Sequence, residues 1–410
     1  MKGIKSLLTV LMMMLALGGI CQDEMKARIE FEEAETYIAN EEYEQALNHL
    51  NKAETLLGTW SSKIAYQQIV VADKLCSYTD DDDKNGIVLL KQMPLYMAYA
   101  KKQGSKIDMD KFKEIYAIES RVNSFSRLVK DSKSPDFVSA KKLYDTDTDL
   151  PKAMAQAIKE ANNGNVRAMN LVGLLYDKSK QYEEGLLWKK KAVEKGCVFA
   201  ARNIAVAYLY GQGITQNYTE AMSWFKKAAT YGNPYSYNDI GELYVEGIGV
   251  EKNEKEAIEW FKKGALKGHK DAVENLGIYL SKAGDYKKAM GYFKYAANKG
   301  NTYSMNRIGD FYYEGKGVVK DFATALEWYR KAADLGNGYA MYSIGFMYTK
   351  GQGVPMDYKE ALVWLEKAVE NRDVNAMKEI YEIYSKGGYG IKKDKKLAKE
   401  WESKYNEQKK

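Results

Sequence analysis

The sequence predicts an all-α chain built as a solenoid of helix-turn-helix repeats, and three observations carry that prediction. Tryptophans recur at a fixed interval. Trp188, Trp224 and Trp260 stand 36 residues apart, Trp328 and Trp364 repeat that interval, Trp401 follows 37 later, and Tyr292 fills the slot between Trp260 and Trp328. Around each of them the apolar residues return with the period of one helix face. Proline is scarce, at 5 in 410 residues, while glycine closes one segment after another in register with the repeat. Self-similarity at such a period is the signature of stacked two-helix units. A single hydrophobic core stops growing at roughly 250–300 residues, so a chain of this length needs an elongated array or several domains.

The first 21 residues read as an export leader. Lys2 and Lys5 form a basic start, Leu7 to Leu17 an apolar run too short to span a bilayer, and Gly18, Gly19, Ile20 and Cys21 a small-residue exit. Simple cleavage after Cys21, leaving Gln22 first, is the expected processing. Lipid attachment at Cys21 is an alternative disfavoured by the bulky Ile20 before it, and an uncleaved anchor is another. A periplasmic or cell-envelope location in a bacterium follows, with no membrane span after processing. The formal charge of +6 falls to +4 without Lys2 and Lys5, too small and dispersed a surplus to argue for nucleic acid.

Residues 22–131 are expected to be helical. Phe31 to Gly58 reads as one tetratricopeptide-like hairpin, with Ala34, Tyr37 and Ile38 facing Tyr43, Ala46, Leu47, Leu50 and Ala53. Helices are expected over Ser62 to Tyr78, Leu89 to Lys102 and Met109 to Val129, in unclear repeat register. Ser132-Lys133-Ser134-Pro135 is the candidate boundary, and a degenerate repeat at 136–167 follows, with Gly164 in its closing slot.

From residue 168 the units run 168–199, 200–235, 236–271, 272–303, 304–339, 340–375 and 376–406. Each opens on a small residue, and most continue with an aliphatic-glycine pair and tyrosine, as in Ser236/Ile240/Gly241/Tyr244 and Ala340/Ile344/Gly345/Tyr348. The copies from Ala200, with Ala205 in the glycine slot, from Ala272, with Leu280 in the tyrosine slot, and from Ala376 are looser. These positions share one helix face. Small residues let a neighbouring helix approach, and the larger ones fill what remains. The second helix carries a stripe such as Ala221/Trp224/Phe225/Ala228 and stops at a glycine suited to the left-handed cap: Gly196, Gly232, Gly268, Gly300 or Gly336. Long units insert a Gly-x-Gly-aliphatic turn, such as Gly211-Gln212-Gly213-Ile214. This is a structural turn and not a phosphate loop, because a helix precedes it and no lysine-serine/threonine ending follows.

These motifs together resemble the Sel-one-like repeat, a relative of the tetratricopeptide repeat, over about Ala168 to Tyr405. The resemblance implies a right-handed α/α superhelix and a non-enzymatic scaffold or adaptor that holds a segment of another protein in a concave groove. It also implies that unit positions 3, 4, 7 and 10 face that groove. Asn170, Asn203, Asn238, Asp239, Glu242, Asn275, Asn306, Arg307, Asp310, Tyr342 and Phe346 are then the candidate contacts. An asparagine there could donate to and accept from an extended peptide, or serve a local capping role. The alternative function is a glycan or cell-wall binder, suggested by the 33 tyrosines.

Other chemistry finds little support. Asp81, Asp83 and Asn85, before Gly86, match the opening of a calcium loop, but Gln92 stands where a bidentate glutamate is expected. His49 and His269 have no sequence neighbours at metal-ligand spacing, and no nucleophile-base set assembles, so neither cofactor nor enzymatic activity is expected. After the leader, Cys76 and Cys197 read as buried small apolar residues. Basic pairs such as Lys262/Lys263 and Arg330/Lys331 read as a solvated face, with Glu259 and Glu327 four residues before a lysine.

Overall fold

A computed structural model describes residues 19–77, 83–103 and 106–408. The expected leader lies outside the described residues as far as residue 18, and the first described helix begins at Gly19. The chain divides into two compact units, Met1–His269 and Lys270–Lys410. Among the described residues every regular element is a helix, apart from one isolated bridge between Gly388 and Ile391 in the stretched final turn.

The first unit holds α1 (Gly19–Ala39), α2 (Tyr43–Leu57), α3 (Ser62–Leu75), α4 (Lys84–Gln103), α5 (Met109–Ser132), α6 (Pro135–Asp145) and α7 (Leu150–Asn162). It continues with α8 (Val166–Lys178), α9 (Tyr182–Glu194), α10 (Val198–Tyr210), α11 (Tyr218–Thr230), α12 (Pro234–Glu246) and α13 (Glu254–Leu266). The second unit holds α14 (Lys270–Lys282), α15 (Tyr286–Asn298), α16 (Thr302–Glu314), α17 (Phe322–Asp334), α18 (Gly338–Lys350), α19 (Tyr358–Glu370), α20 (Asn375–Lys386) and α21 (Lys395–Gln408).

In the repeats, helix length is strictly kept. Helices α8 to α19 are each 13 residues long, about 20 Å of helix. Side-chain caps set the starts. Asn165, Asn233, Asn301 and Asn337 accept from backbone amides of α8, α12, α16 and α18, and Asn217, Asn253, Asp285, Asp321 and Asp357 do the same for second helices. The slot after the closing glycine is thus the N-cap of the next helix in these repeats. The predicted closing glycines all adopt positive φ, from 77° at Gly268 to 89° at Gly196.

The small-residue logic of the first helix is visible in space. A Cβ on Gly241 would lie 2.5 Å from Phe261 Cε1, and Gly277 and Gly309 meet Phe293 and Tyr329 in the same way. The opening residues Ala168, Ala200, Ser236, Ala272, Ser304 and Ala340 are fully buried. The second glycine of the long turn has another duty. A Cβ on Gly213 would sit 2.4 Å from Tyr182 Cβ, so this turn is laid directly on the start of the preceding second helix.

The N-terminal helices pack closely with the early repeats. Arg127 on α5 donates to the carbonyl of Gly164 at 2.9 Å, and the Asp131 carboxylate accepts from the Val166 amide at 2.8 Å. Lys267 Nζ donates to the carbonyls of Asp73 and Cys76, at 2.9 and 2.7 Å, and Lys262 meets Glu41 at 2.6 Å. The boundary read at Ser132–Pro135 therefore separates α5 from α6 without separating compact bodies. A sequence read by local pattern cannot register these contacts, since their partners lie up to 221 residues apart.

The calcium-loop reading is corrected. Asp81 lies outside the described residues, but Asp83 is the N-cap of α4, its carboxylate accepting from Asn85 and Gly86 amides at 2.8 and 3.1 Å. Asn85 and Gly86 are buried in that helix, and a Cβ on Gly86 would strike Phe125. Gln92 is also helical and donates to Glu54. From Lys84 onward this stretch is helix, where calcium needs an open loop. The lysine pairing expected on the second helices is also different. Lys263 and Lys331 lie over Trp260 and Trp328, at 4.1 and 4.3 Å from the ring centroids.

Candidate functional site

The first helices of the early repeats turn one face toward a cavity of about 300 Å³ in the first unit. Helix α6 supplies Phe137, α8 supplies Arg167 and Asn170, α10 supplies Phe199, Arg202 and Asn203, and α12 supplies Tyr235. Arg167 lies between two rings, 5.5 Å from the Phe137 centroid and 5.3 Å from Phe199. Arg202 lies 5.3 Å from the Tyr235 ring and makes a bidentate pair with Asp239, at 2.6 and 3.0 Å. Phe199 and Tyr235 hold the same position of successive units and so face the same way, whereas Arg167 and Arg202 reach the rings from different positions of the repeat.

Asn170 and Asn203 line the cavity, and they are joined: Asn203 Nδ2 donates to Asn170 Oδ1 at 2.9 Å. Asn238 is buried and donates to Glu242 at 2.8 Å, one turn along α12. Burial pushes the Asp239 carboxyl above its ordinary range, opposed by Arg202. Most of the expected contacts in this unit are therefore already engaged with one another.

In the second unit Asn275 is half-buried, and Asn306 is buried, with Nδ2 donating to Asn337 Oδ1 at 2.6 Å. Asn306 Oδ1 is buried without a hydrogen-bond partner. Arg307 donates to Asp310 at 2.8 Å, and the buried Tyr329 hydroxyl donates to the other Asp310 oxygen at 2.8 Å. Burial raises Asp310 above the usual carboxylate range, against the pull of Tyr329 and Arg307. Tyr342 stands between Tyr339 and Phe346, with ring centroids 6.2 and 6.0 Å away, so three aromatic residues follow one line along α18.

Position counting missed the residue just before each unit start. Phe199, Tyr235, Tyr303 and Tyr339 all occupy that position. The signal was present as an aromatic recurring immediately before the small opening residue. Arg167 holds the same position before the first unit but is not aromatic, and Phe137 lies in the degenerate repeat, so neither carried that signal.

The cavity wall is cationic, amide and aromatic, with aliphatic surface from Leu171 and Leu174. What this face can do is present bonded amides, guanidinium groups and rings to another surface. Fold and face together define an α-helical repeat protein, a class whose members serve in general as scaffolds for protein-protein interaction. The Sel1 repeat profile matches residues 198–233, 234–269, 272–301, 302–337, 338–373 and 382–401. A Sel1 repeat protein from Oxalobacter formigenes is 31% identical, with TM-score 0.54, over 59% of this chain and 100% of its own. The structure of c5321, a protective antigen present in uropathogenic Escherichia coli strains and displaying an SLR fold, is 25% identical with TM-score 0.57, over 78% of this chain and 64% of its own. A search of curated proteins found no match. The chain belongs to the Sel1 repeat family.

Proposed function

We propose that this chain is a non-enzymatic scaffold or adaptor of the bacterial cell envelope, which binds a segment of a partner protein along the faces of its first helices. The observation that carries the reading is the cavity where Arg167 is held between Phe137 and Phe199 beside the linked amides of Asn170 and Asn203. Flat rings and a guanidinium offer large contact area at low entropic cost, the composition of binding hot spots. The leader read at residues 1–21 supports the envelope location, and the bacterial origin of the relatives supports a bacterial source. Among the described residues, no helix is long and apolar enough to cross a membrane.

The test is crosslinking in the native envelope, followed by mass spectrometry of the captured partner. Phe199→Ala with Tyr235→Ala is expected to lower capture at least tenfold while the helical circular dichroism is kept. Undiminished capture by this variant would refute the role of the cavity.

The glycan-binding alternative rests on one observation, the line of Tyr339, Tyr342 and Phe346, since rings in such a row can stack on sugar faces. Tyr313 is less available for it, being bonded to Gln352 at 2.6 Å and packed on Phe322. Retention on immobilised peptidoglycan that is lost in Tyr342→Ala would favour this second reading.

A further inference from the structure

The α1–α2 hairpin brings together a side-chain set that local sequence spacing does not reveal. His49, on α2, points Nδ1 at two carboxylates of α1. It lies 2.6 Å from Glu30 Oε2 and 3.1 Å from Glu33 Oε2. One donor atom from each of the three residues falls within 4.8 Å of the other two. We propose that Glu30, Glu33 and His49 form a binding site for a divalent transition-metal ion of the zinc class, which ties α1 to α2.

The chemistry of the donors supports an ion of this kind. An imidazole nitrogen with two carboxylate oxygens is the mixed N/O set that zinc accepts, whereas calcium and magnesium favour oxygen donors alone. One ring nitrogen has only one proton or one lone pair to offer. It cannot serve two converging carboxylates equally, while a cation among the three atoms serves all of them. Lys52 is exposed and stands 3.8 Å from Glu30, too weakly placed to replace such a cation.

The geometry needs little change. Bonds of about 2.0–2.2 Å at tetrahedral angles separate donor atoms by roughly 3.3–3.5 Å, so Glu30 has to withdraw by less than about 1 Å. Glu30 and Glu33 are three apart on α1 and share a face. Tyr37, one turn further on, stacks on the imidazole with centroids 5.1 Å apart and planes 22° apart, which holds the plane of the ring. Glu30 and His49 are half-buried, and the more exposed Glu33 leaves a way in and a position for water. Three protein donors with an open position hold an ion without enclosing it.

The full chain, freed of metal with a chelator, is titrated with zinc chloride by calorimetry and by NMR of its histidine ring protons. Only His49 and His269 contribute such signals, and His269 packs against Tyr235 and is no member of the proposed site. The expected result is saturable binding that shifts or broadens the His49 resonances and spares those of His269. His49→Gln and Glu30→Gln should each weaken binding by about tenfold or more, and magnesium should produce neither heat nor shift. Binding unchanged in His49→Gln, or His49 signals unmoved by zinc in the unaltered chain, overturns the proposal. Should His49→Gln fail to fold, the NMR titration of the unaltered chain decides alone.

Discussion

Buried Lys189 forms an ion pair with half-buried Asp177 at the position where the next five repeats place an apolar or aromatic side chain. Lys189 follows Trp188 as Phe225 follows Trp224 and Phe261 follows Trp260, yet it is a cation with 3% of its side chain exposed. It passes Gly173, and its ammonium meets the Asp177 carboxylate. The Gly185 position, alanine in later repeats, is tight against the same carboxylate: a Cβ there would lie 2.5 Å from Asp177 Oδ1. Glycine and ion pair therefore belong to one local solution.

Removing one partner of a buried pair leaves an uncompensated charge, at a cost of about 3–5 kcal/mol. Lys189→Ala leaves the half-buried Asp177 unpaired and empties the lysine's buried place, so it should lose a clear part of that in chemical denaturation. The double change Lys189→Phe with Asp177→Leu copies the apolar pattern of the next repeat and is expected to be neutral or stabilising by about 1–4 kcal/mol. A double variant as unstable as Lys189→Ala would contradict this account.

Glycine inside a helix carries opposite consequences at two sites. Gly241→Ala drives a methyl into Phe261, and overpacking of this kind costs about 1–3 kcal/mol. Gly291, exposed on α15, has nothing within 4 Å of its missing Cβ. Gly291→Ala should stabilise by about 0.5–1 kcal/mol through helix propensity. Thermal melts of the two variants should move in opposite directions.

Asp310 makes part of the stability depend on pH. Its carboxyl, raised by burial, holds a proton more tightly folded than unfolded. That contribution is fully present below the unfolded value and is lost as pH rises through the native one. Tyr329→Phe removes a donor to the carboxylate, so the native value should climb further and the loss move to higher pH. Carbon NMR of the Asp310 carboxyl would show it, and the variant should lose about 1.5–3 kcal/mol at neutral pH. An unmoved titration would mean that Tyr329 does not hold the charge.

Cys197 is fully buried, and burial pushes its thiol up to about 11. With so little thiolate near pH 8, alkylation should be roughly a few hundred-fold slower than for an open thiol, and slower still through lack of access. Peptide mapping should find Cys197 modified only as fast as the chain unfolds. Rapid labelling in native buffer would show that α10 opens on its own.

Much of this architecture was legible in the chain alone. Tryptophan spacing, small opening residues and closing glycines located the helix pairs from residue 168 onward, because each unit repeats one packing problem and so repeats its solution. The N-terminal helices were placed individually, but α4 begins earlier than its apolar pattern indicated, since Asp83 caps it with a side chain that hydropathy does not register. The candidate face was half legible. Asn170 and Asn203 do line the cavity, yet their amides bond to each other, and Phe137 and Arg167 were invisible to position counting.

The sequence by itself determined the class of fold and the register of its repeats, because period, small residues and glycine caps are local properties that act within one helix pair. Tertiary structure alone decided what met across distance: Lys267 on the carbonyls at the end of α3, Lys189 against Asp177, and two glutamates around His49. Those meetings depend on where helices far apart in the chain come to rest, and polar side chains, unlike an apolar stripe, carry no period that announces their partners.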